Sequence, residues 1–214
     1  AHRARTEAHA EDSVRIAGCL SPYEWSYRPE LAPPFEELVP HYAETVRLQE
    51  GGVDLFIAET MASADEGAAA AVAATASGLP VWVAWTLSDD RSGRLRSGET
   101  IAEAAAALRD RGADVDALLV NCSLPESIDA ALPELRRAGD DAGVRIGAYA
   151  NGFHPIDAGF TTDTTVDLLD RRADLDPQGY LRWVEHWVAA GASIVGGCCE
   201  IGPAHIRAIA DRFG

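Results

Sequence analysis

The order of hydrophobic and polar positions divides the chain into short apolar runs separated by longer stretches with helical spacing. Six runs rich in β-branched, leucine and aromatic residues read as strands: 14–20 (VRIAGCL), 53–60 (VDLFIAET), 81–87 (VWVAWTL), 117–123 (ALLVNCS), 144–150 (VRIGAYA) and 193–199 (SIVGGCC). Several are continuously apolar, the pattern of strands covered on both faces in a parallel sheet. Between them, residues 40–52, 63–78, 100–112, 126–143 and 179–193 carry helical periodicity, and a further helix opens at Pro203. Most of these segments end in glycine just ahead of the next strand, the expected helix stop.

Strict alternation of strand and helix predicts a parallel α/β architecture, doubly wound or barrel. Two features favour a (β/α)8 TIM barrel. No glycine-rich phosphate turn follows a strand, and Glu59, Cys122, Asn151, Cys198 and Cys199 all fall at strand C-termini, which share one face in such a barrel. Six units do not close eight strands, and residues 1–13 read as the tail of a helix. The expectation is therefore a single barrel domain over 1–214, with about two N-terminal βα units missing or the sheet completed by other means. An unfinished edge favours pairing with another chain, so a homo-oligomer is expected. Long connections at 21–37, 88–99 and 151–178 would rise from the catalytic face as lids or binding loops.

Composition narrows the chemistry. The 214 residues are 47% hydrophobic, enough for one core. All 18 basic residues are arginine. Without lysine, Schiff-base aldolases, pyridoxal phosphate enzymes and Walker A phosphate loops are excluded. A formal charge of -16 opposes binding to nucleic acid or anionic membranes and points to a small-molecule partner. No long apolar span or basic-then-apolar leader is present in the sequence, so the expectation is a cytoplasmic protein.

Four cysteines do not make a disulfide framework. Cys198 and Cys199 are adjacent at a strand end, where adjacent Cα atoms, about 3.8 Å apart, are too close for an ordinary disulfide. Successive strand residues point to opposite faces, so two neighbouring ligands require the chain to curl, which the flanking glycines permit. Cys122 ends another strand in AsnCysSer, whose match to a glycosylation sequon is read as spurious. Three thiolates with an open fourth position suit a catalytic zinc ion; buried core thiols are the competing reading. Cys19, with apolar neighbours, reads as a packed core thiol.

The residues resemble a known family. GlyGlyCysCys followed by Pro203, His205 and Ile206 is similar to the C-terminal signature of the zinc-dependent homocysteine S-methyltransferases, and AsnCysSer at 121–123, GluThr at 59–60 and AlaTyrAlaAsn at 148–151 match other family blocks in order. The resemblance implies a (β/α)8 barrel with zinc held by Cys122, Cys198 and Cys199, the fourth position taking the homocysteine thiol. It also implies substrate contacts from Glu59, with Thr60 beside it, and from Asn151. The family's N-terminal blocks are absent, and Glu200 stands where a small or polar residue is usual. The implied reaction moves a methyl group from a small donor to homocysteine, forming methionine. A sulfonium donor, S-methylmethionine or S-adenosylmethionine, fits a single domain, with Tyr23, Trp25, Tyr27 or Trp85 as candidate aromatic contacts for its charge. A zinc- or thiol-binding remnant without catalysis is the alternative. His154, His186 and His205 carry no independent metal signal.

Overall fold

A computed structural model describes residues 1–156 and 169–214. A short helix, α1 (His2–Glu7), precedes six βα units: β1 (Ala17–Leu20), α2 (Phe35–Gln49), β2 (Leu55–Met61), α3 (Ala64–Thr75), β3 (Val81–Trp85), α4 (Ile101–Asp110), β4 (Ala117–Asn121), α5 (Pro125–Ala142), β5 (Arg145–Tyr149), α6 (Pro177–Ala189), β6 (Ile194–Val195) and α7 (Pro203–Phe213). The strands form one sheet in sequence order, and every pairing is parallel. All six expected strands are present, in the alternating architecture of a (β/α) barrel. Among the described residues β1 pairs only with β2 and β6 only with β5, so the sheet is an open arc.

The two faces of the arc have different fillings, as the two-residue period of a strand requires. Phe56, Ala58, Val83, Trp85, Leu118, Val120, Ile146 and Ala148 face the helices in the main core. The inner face carries the smaller cluster of Ala84, Ala117 and Leu119, flanked by Trp82, Tyr149 and Ile194. Curvature brings distant strands together on that side: the Tyr149 hydroxyl on β5 donates to Glu59 Oε2 on β2 at 3.1 Å, across the two strands between them.

Local chemistry explains the helix boundaries. Ser63 caps α3 by accepting from the Glu66 N–H, Thr100 and Glu103 form a capping box on α4, and Gly143 ends α5 in the left-handed conformation, each satisfying end groups that lack intrahelical partners. One boundary differs from expectation. The helix expected from Pro40 begins at Phe35 and runs through Pro40. Leu38, Tyr42 and Val46 form a buried stripe at four-residue spacing; burying each contributes roughly 1.5 to 3 kcal/mol, which together offsets the ~3 kcal/mol cost of an interior proline. Of the connection expected over 151–178, residues 157–168 lie outside the described residues. No described helix is long and apolar enough to cross a membrane.

Candidate functional site

The C-terminal ends of β2 and β4 turn through left-handed backbone at non-glycine residues: Thr60 has φ +66° and Cys122 φ +45°. Such conformations persist where surrounding contacts over-determine them. Here Asn121, fully buried, supplies the contacts. Its Oδ1 accepts from the Thr60 N–H at 2.9 Å and its Nδ2 donates to Thr60 Oγ1 at 2.8 Å. Ser123 Oγ donates to the Asn121 carbonyl and accepts from the Leu87 N–H, both at 2.8 Å, while Thr86 Oγ1 donates to the Cys122 carbonyl at 3.2 Å. Asn121 thus holds two strand ends in register, and its burial removes it from glycosylation in the folded chain. The sequence signal for this role is one amide closing an otherwise apolar strand.

The segment after β6 is fastened to the end of β5. The Cys198 N–H donates to the Ala150 carbonyl and the Gly152 N–H to the Cys199 carbonyl, both at 2.9 Å. Tyr180 of α6 braces the same turn, its hydroxyl donating to the Gly196 carbonyl at 2.8 Å and accepting from the Ala150 N–H at 2.9 Å. Gly197 is required by a close approach: a Cβ there would overlap Cγ2 and Cβ of Ile201. Gly197→Ala is therefore expected to lower stability by about 1 to 3 kcal/mol through overpacking and to misplace both following cysteines, checked by urea denaturation and metal content of the same preparation. Unchanged values in both would show that the turn relaxes freely.

This curl, which strand geometry forbids, brings the sulfurs together. Cys122 Sγ lies 3.8 Å from Cys199 Sγ, and Cys198 Sγ lies 4.0 Å from Cys199 Sγ. All three sulfurs fall within 4.8 Å of one another, and they could hold a metal ion. The thiols cannot all ionise independently at this spacing. Hydrogen bonds from Cys122 and Cys198 pull the Cys199 thiol far down, to about 3. The Cys198 thiol is pushed up by its hydrogen bonds to Cys122 and Cys199 and by burial. At Cys122 the Cys198 hydrogen bond lowers the pKa, but the Cys199 hydrogen bond and burial outweigh it and leave the thiol at about 11. The trio favours one shared negative charge, with the others gained when a cation arrives.

The sulfurs open onto a cavity of about 390 Å³ lined also by Cys19, Ser21, Pro22, Trp25, Ser26, Tyr27, Glu59 and Thr60. Glu59 is the one carboxylate among these lining residues. Its Oε1 accepts from Cys19 Sγ and its Oε2 from the Tyr149 hydroxyl, each at 3.1 Å. Cys19 departs from expectation: it is exposed on the inner face of the edge strand β1, not packed in the core. Desolvation and the Glu59 carboxylate push its thiol up to about 12, so it stays protonated. Trp25 and Tyr27 line the cavity, whereas Trp85 is fully buried between β3 and α3 and Tyr23 packs edge-on against His41 at 4.4 Å. Tyr27 is held as a neutral phenol by burial and by Cys122.

The other expected residues take plainer positions. Asn151 is buried and outside the cavity lining; its Oδ1 accepts from the Phe153 N–H at 3.2 Å. Glu200 pairs with Arg171 at 2.9 Å, which offsets its charge beside Cys199. His205 accepts the Gly202 N–H at Nδ1 and meets the Leu175 carbonyl at Nε2, a helix-start role, and His186 pairs with Asp129 on the surface. Tyr149, Tyr180 and Asn121 are the positioning residues that reasoning from the sequence missed.

Sequence comparison adds an independent finding: the profile described as "Homocysteine S-methyltransferase" matches residues 1–213. The chain belongs to the homocysteine S-methyltransferase family. Similar relatives include homocysteine S-methyltransferase 4 of Zea mays, 30% identical over 76% of this chain and 45% of that protein. Betaine–homocysteine S-methyltransferase 1 of Mus musculus is 32% identical over 75% of this chain and 40% of its own length. Homocysteine S-methyltransferase 2 of Arabidopsis thaliana is 28% identical over 78% of this chain and 47% of its own. The chain thus spans less than half the length of these homocysteine S-methyltransferase relatives. In fold, it is similar to a Bacteroides thetaiotaomicron protein described as an alpha-L-fucosidase, with a TM-score of 0.53 over 84% of this chain and 61% of that one, at 13% identity.

Proposed function

We propose that this chain carries the zinc and homocysteine site of a methyltransferase that moves a methyl group from a sulfonium donor, S-methylmethionine or S-adenosylmethionine, to homocysteine. The carrying observation is the sulfur cluster. Three vertices of a tetrahedron 2.3 Å from a zinc ion lie about 3.8 Å apart; Cys199 Sγ lies 3.8 Å from Cys122 Sγ and 4.0 Å from Cys198 Sγ, with all three sulfurs within 4.8 Å of one another. An all-sulfur donor set suits a soft ion such as zinc. Cys122, Cys198 and Cys199 would hold it, and a bound zinc would favour the thiolate form of an incoming homocysteine while three anionic ligands keep electron density on that sulfur.

The chain's own residues supply the rest. Glu59, held by hydrogen bonds from Cys19 and Tyr149, lines the cavity and would accept from the amino group of homocysteine. Thr60 lies beside it, its backbone fixed by Asn121. Trp25 presents aromatic surface to a cationic donor, a contact worth about 0.5 to 2 kcal/mol, and the net charge of -16 draws such a cation in. Methyl transfer then breaks the donor's S–CH3 bond, whose electron pair stays on the donor sulfur. A new C–S bond forms on the acceptor, which has already lost its proton.

The test is a donor panel with the reduced, zinc-supplemented chain and homocysteine, following transfer of a CD3 label into methionine by mass spectrometry. Label from S-methylmethionine or S-adenosylmethionine is expected. A chain that binds zinc and homocysteine but transfers from neither overturns the sulfonium reading. The exposed inner face of β1 around Ala17 and Cys19 favours, as a second reading, a zinc- and thiol-binding unit without turnover, which that outcome would select unless betaine serves as donor.

A further inference from the structure

Tyr27 lies at the meeting point of three connections that follow different strands. Its hydroxyl is 3.1 Å from Cys122 Sγ. Its ring lies under the Arg96 guanidinium, 4.2 Å from the ring centroid. Arg96 is itself fixed: it pairs with Asp89 at 3.0 Å, both side chains nearly buried, and its Nε donates to Thr86 Oγ1 at 3.3 Å. Asp89 Oδ2 accepts the Ile156 N–H at 2.9 Å, and Thr86 closes the circuit on the Cys122 carbonyl. The connection after β1 is therefore clamped against those after β3 and β5 at the sulfur of one cysteine.

Resting on the zinc reading above, we propose that Tyr27 is a positioning residue of the metal centre: its hydroxyl donates to the Cys122 sulfur, and the Arg96 clamp couples metal loading to closure of residues 21–34 over the cavity. A metal-bound cysteine sulfur has no proton to give, so in this pair the phenol must be the donor. That hydrogen bond withdraws charge from an anion-rich ligand set and fixes the orientation of the Cys122 sulfur. Outer hydrogen-bond partners of metal ligands typically matter by about 10- to 100-fold in affinity. The stack on Arg96 holds the phenol at a fixed angle, so movement of the loop and occupancy of the metal site become one event.

Tyr27→Phe tests this while keeping the ring and its stack. Zinc affinity by competition with a chromophoric chelator, the sulfur-to-metal charge-transfer band of the cobalt-loaded chain, and metal-dependent hydrogen exchange of residues 21–34 are compared with the wild type. The variant is expected to bind one equivalent with about 10- to 100-fold weaker affinity, to show a band at lower energy, and to lose the protection that metal gives the loop. Arg96→Gln, which retains the hydroxyl, is expected to lose loop protection with the smaller drop in affinity. Affinity, band and protection all at wild-type values in Tyr27→Phe would overturn the proposal and leave the zinc reading intact. A wild-type chain that takes up no metal would overturn both.

Discussion

Cys122→Ser is expected to reduce bound zinc from about one equivalent per chain to a level indistinguishable from background, and to abolish methyl transfer with it. Cys122 alone among the three sulfurs follows β4, 77 residues from Cys199 in sequence, so its loss leaves two ligands from a single turn. Serine preserves the size and the backbone, but a hydroxyl is a hard, neutral donor where zinc favours thiolate. The two remaining thiols would hold zinc weakly and in an open, solvent-rich geometry. Fold is a separate readout: Cys122 is nearly buried, yet its carbonyl and N–H keep their bonds to Thr86 and Tyr149 whatever the side chain. The circular dichroism of the variant is therefore expected to match the wild type. Zinc content is measured on protein purified under reducing conditions without chelator, with affinity falling at lower pH as protons compete for sulfur. Full zinc content in a folded Cys122→Ser chain would show that the distant cysteine does not converge on the metal.

Much of this arrangement was legible in the sequence, and the part that was not has a common cause. Continuous apolar runs such as ALLVN located β4 because a strand covered on both faces has no polar side to display. The cysteine pair marked a site because strand geometry cannot point two neighbours the same way. What periodicity does not encode is curvature. Tyr149 and Glu59 lie 90 residues apart and meet only because the sheet coils; Cys19 meets Glu59 through the parallel register of β1 on β2, which sets Cys19 opposite Ile57 and Glu59 two residues further on the same face. Local sequence also misplaced the start of α2: the helical spacing is read only from residue 40, whereas the helix begins at Phe35 and its buried stripe starts at Leu38. Trp85 shows the same limit from the other side: its place near a strand end suggested a ligand contact, but its parity along β3 turns it toward α3.

Asn121→Ala is expected to lower the stability of the metal-free chain by about 2 to 4 kcal/mol, more than truncating one hydrogen-bonding side chain usually does, because it strands buried partners. The Thr60 N–H would lose its acceptor and Thr60 Oγ1 its donor, both at buried sites. Each such orphan costs about 1 to 3 kcal/mol. The loss also releases Thr60, which sits at φ +66° beside Glu59, and loosens the register of Cys122 at φ +45°. Urea denaturation measures the first effect, and zinc affinity the second. A double-mutant cycle with Thr60→Val separates them: the two substitutions share one pair of groups, so their costs are expected to add to less than their sum. Additive costs, or a single-variant loss under about 0.5 kcal/mol, would mean that the strand ends are held by the surrounding packing. A non-additive loss accompanied by weaker zinc binding would place Asn121 where the geometry puts it, as the strut that converts two strained strand ends into one preorganised site.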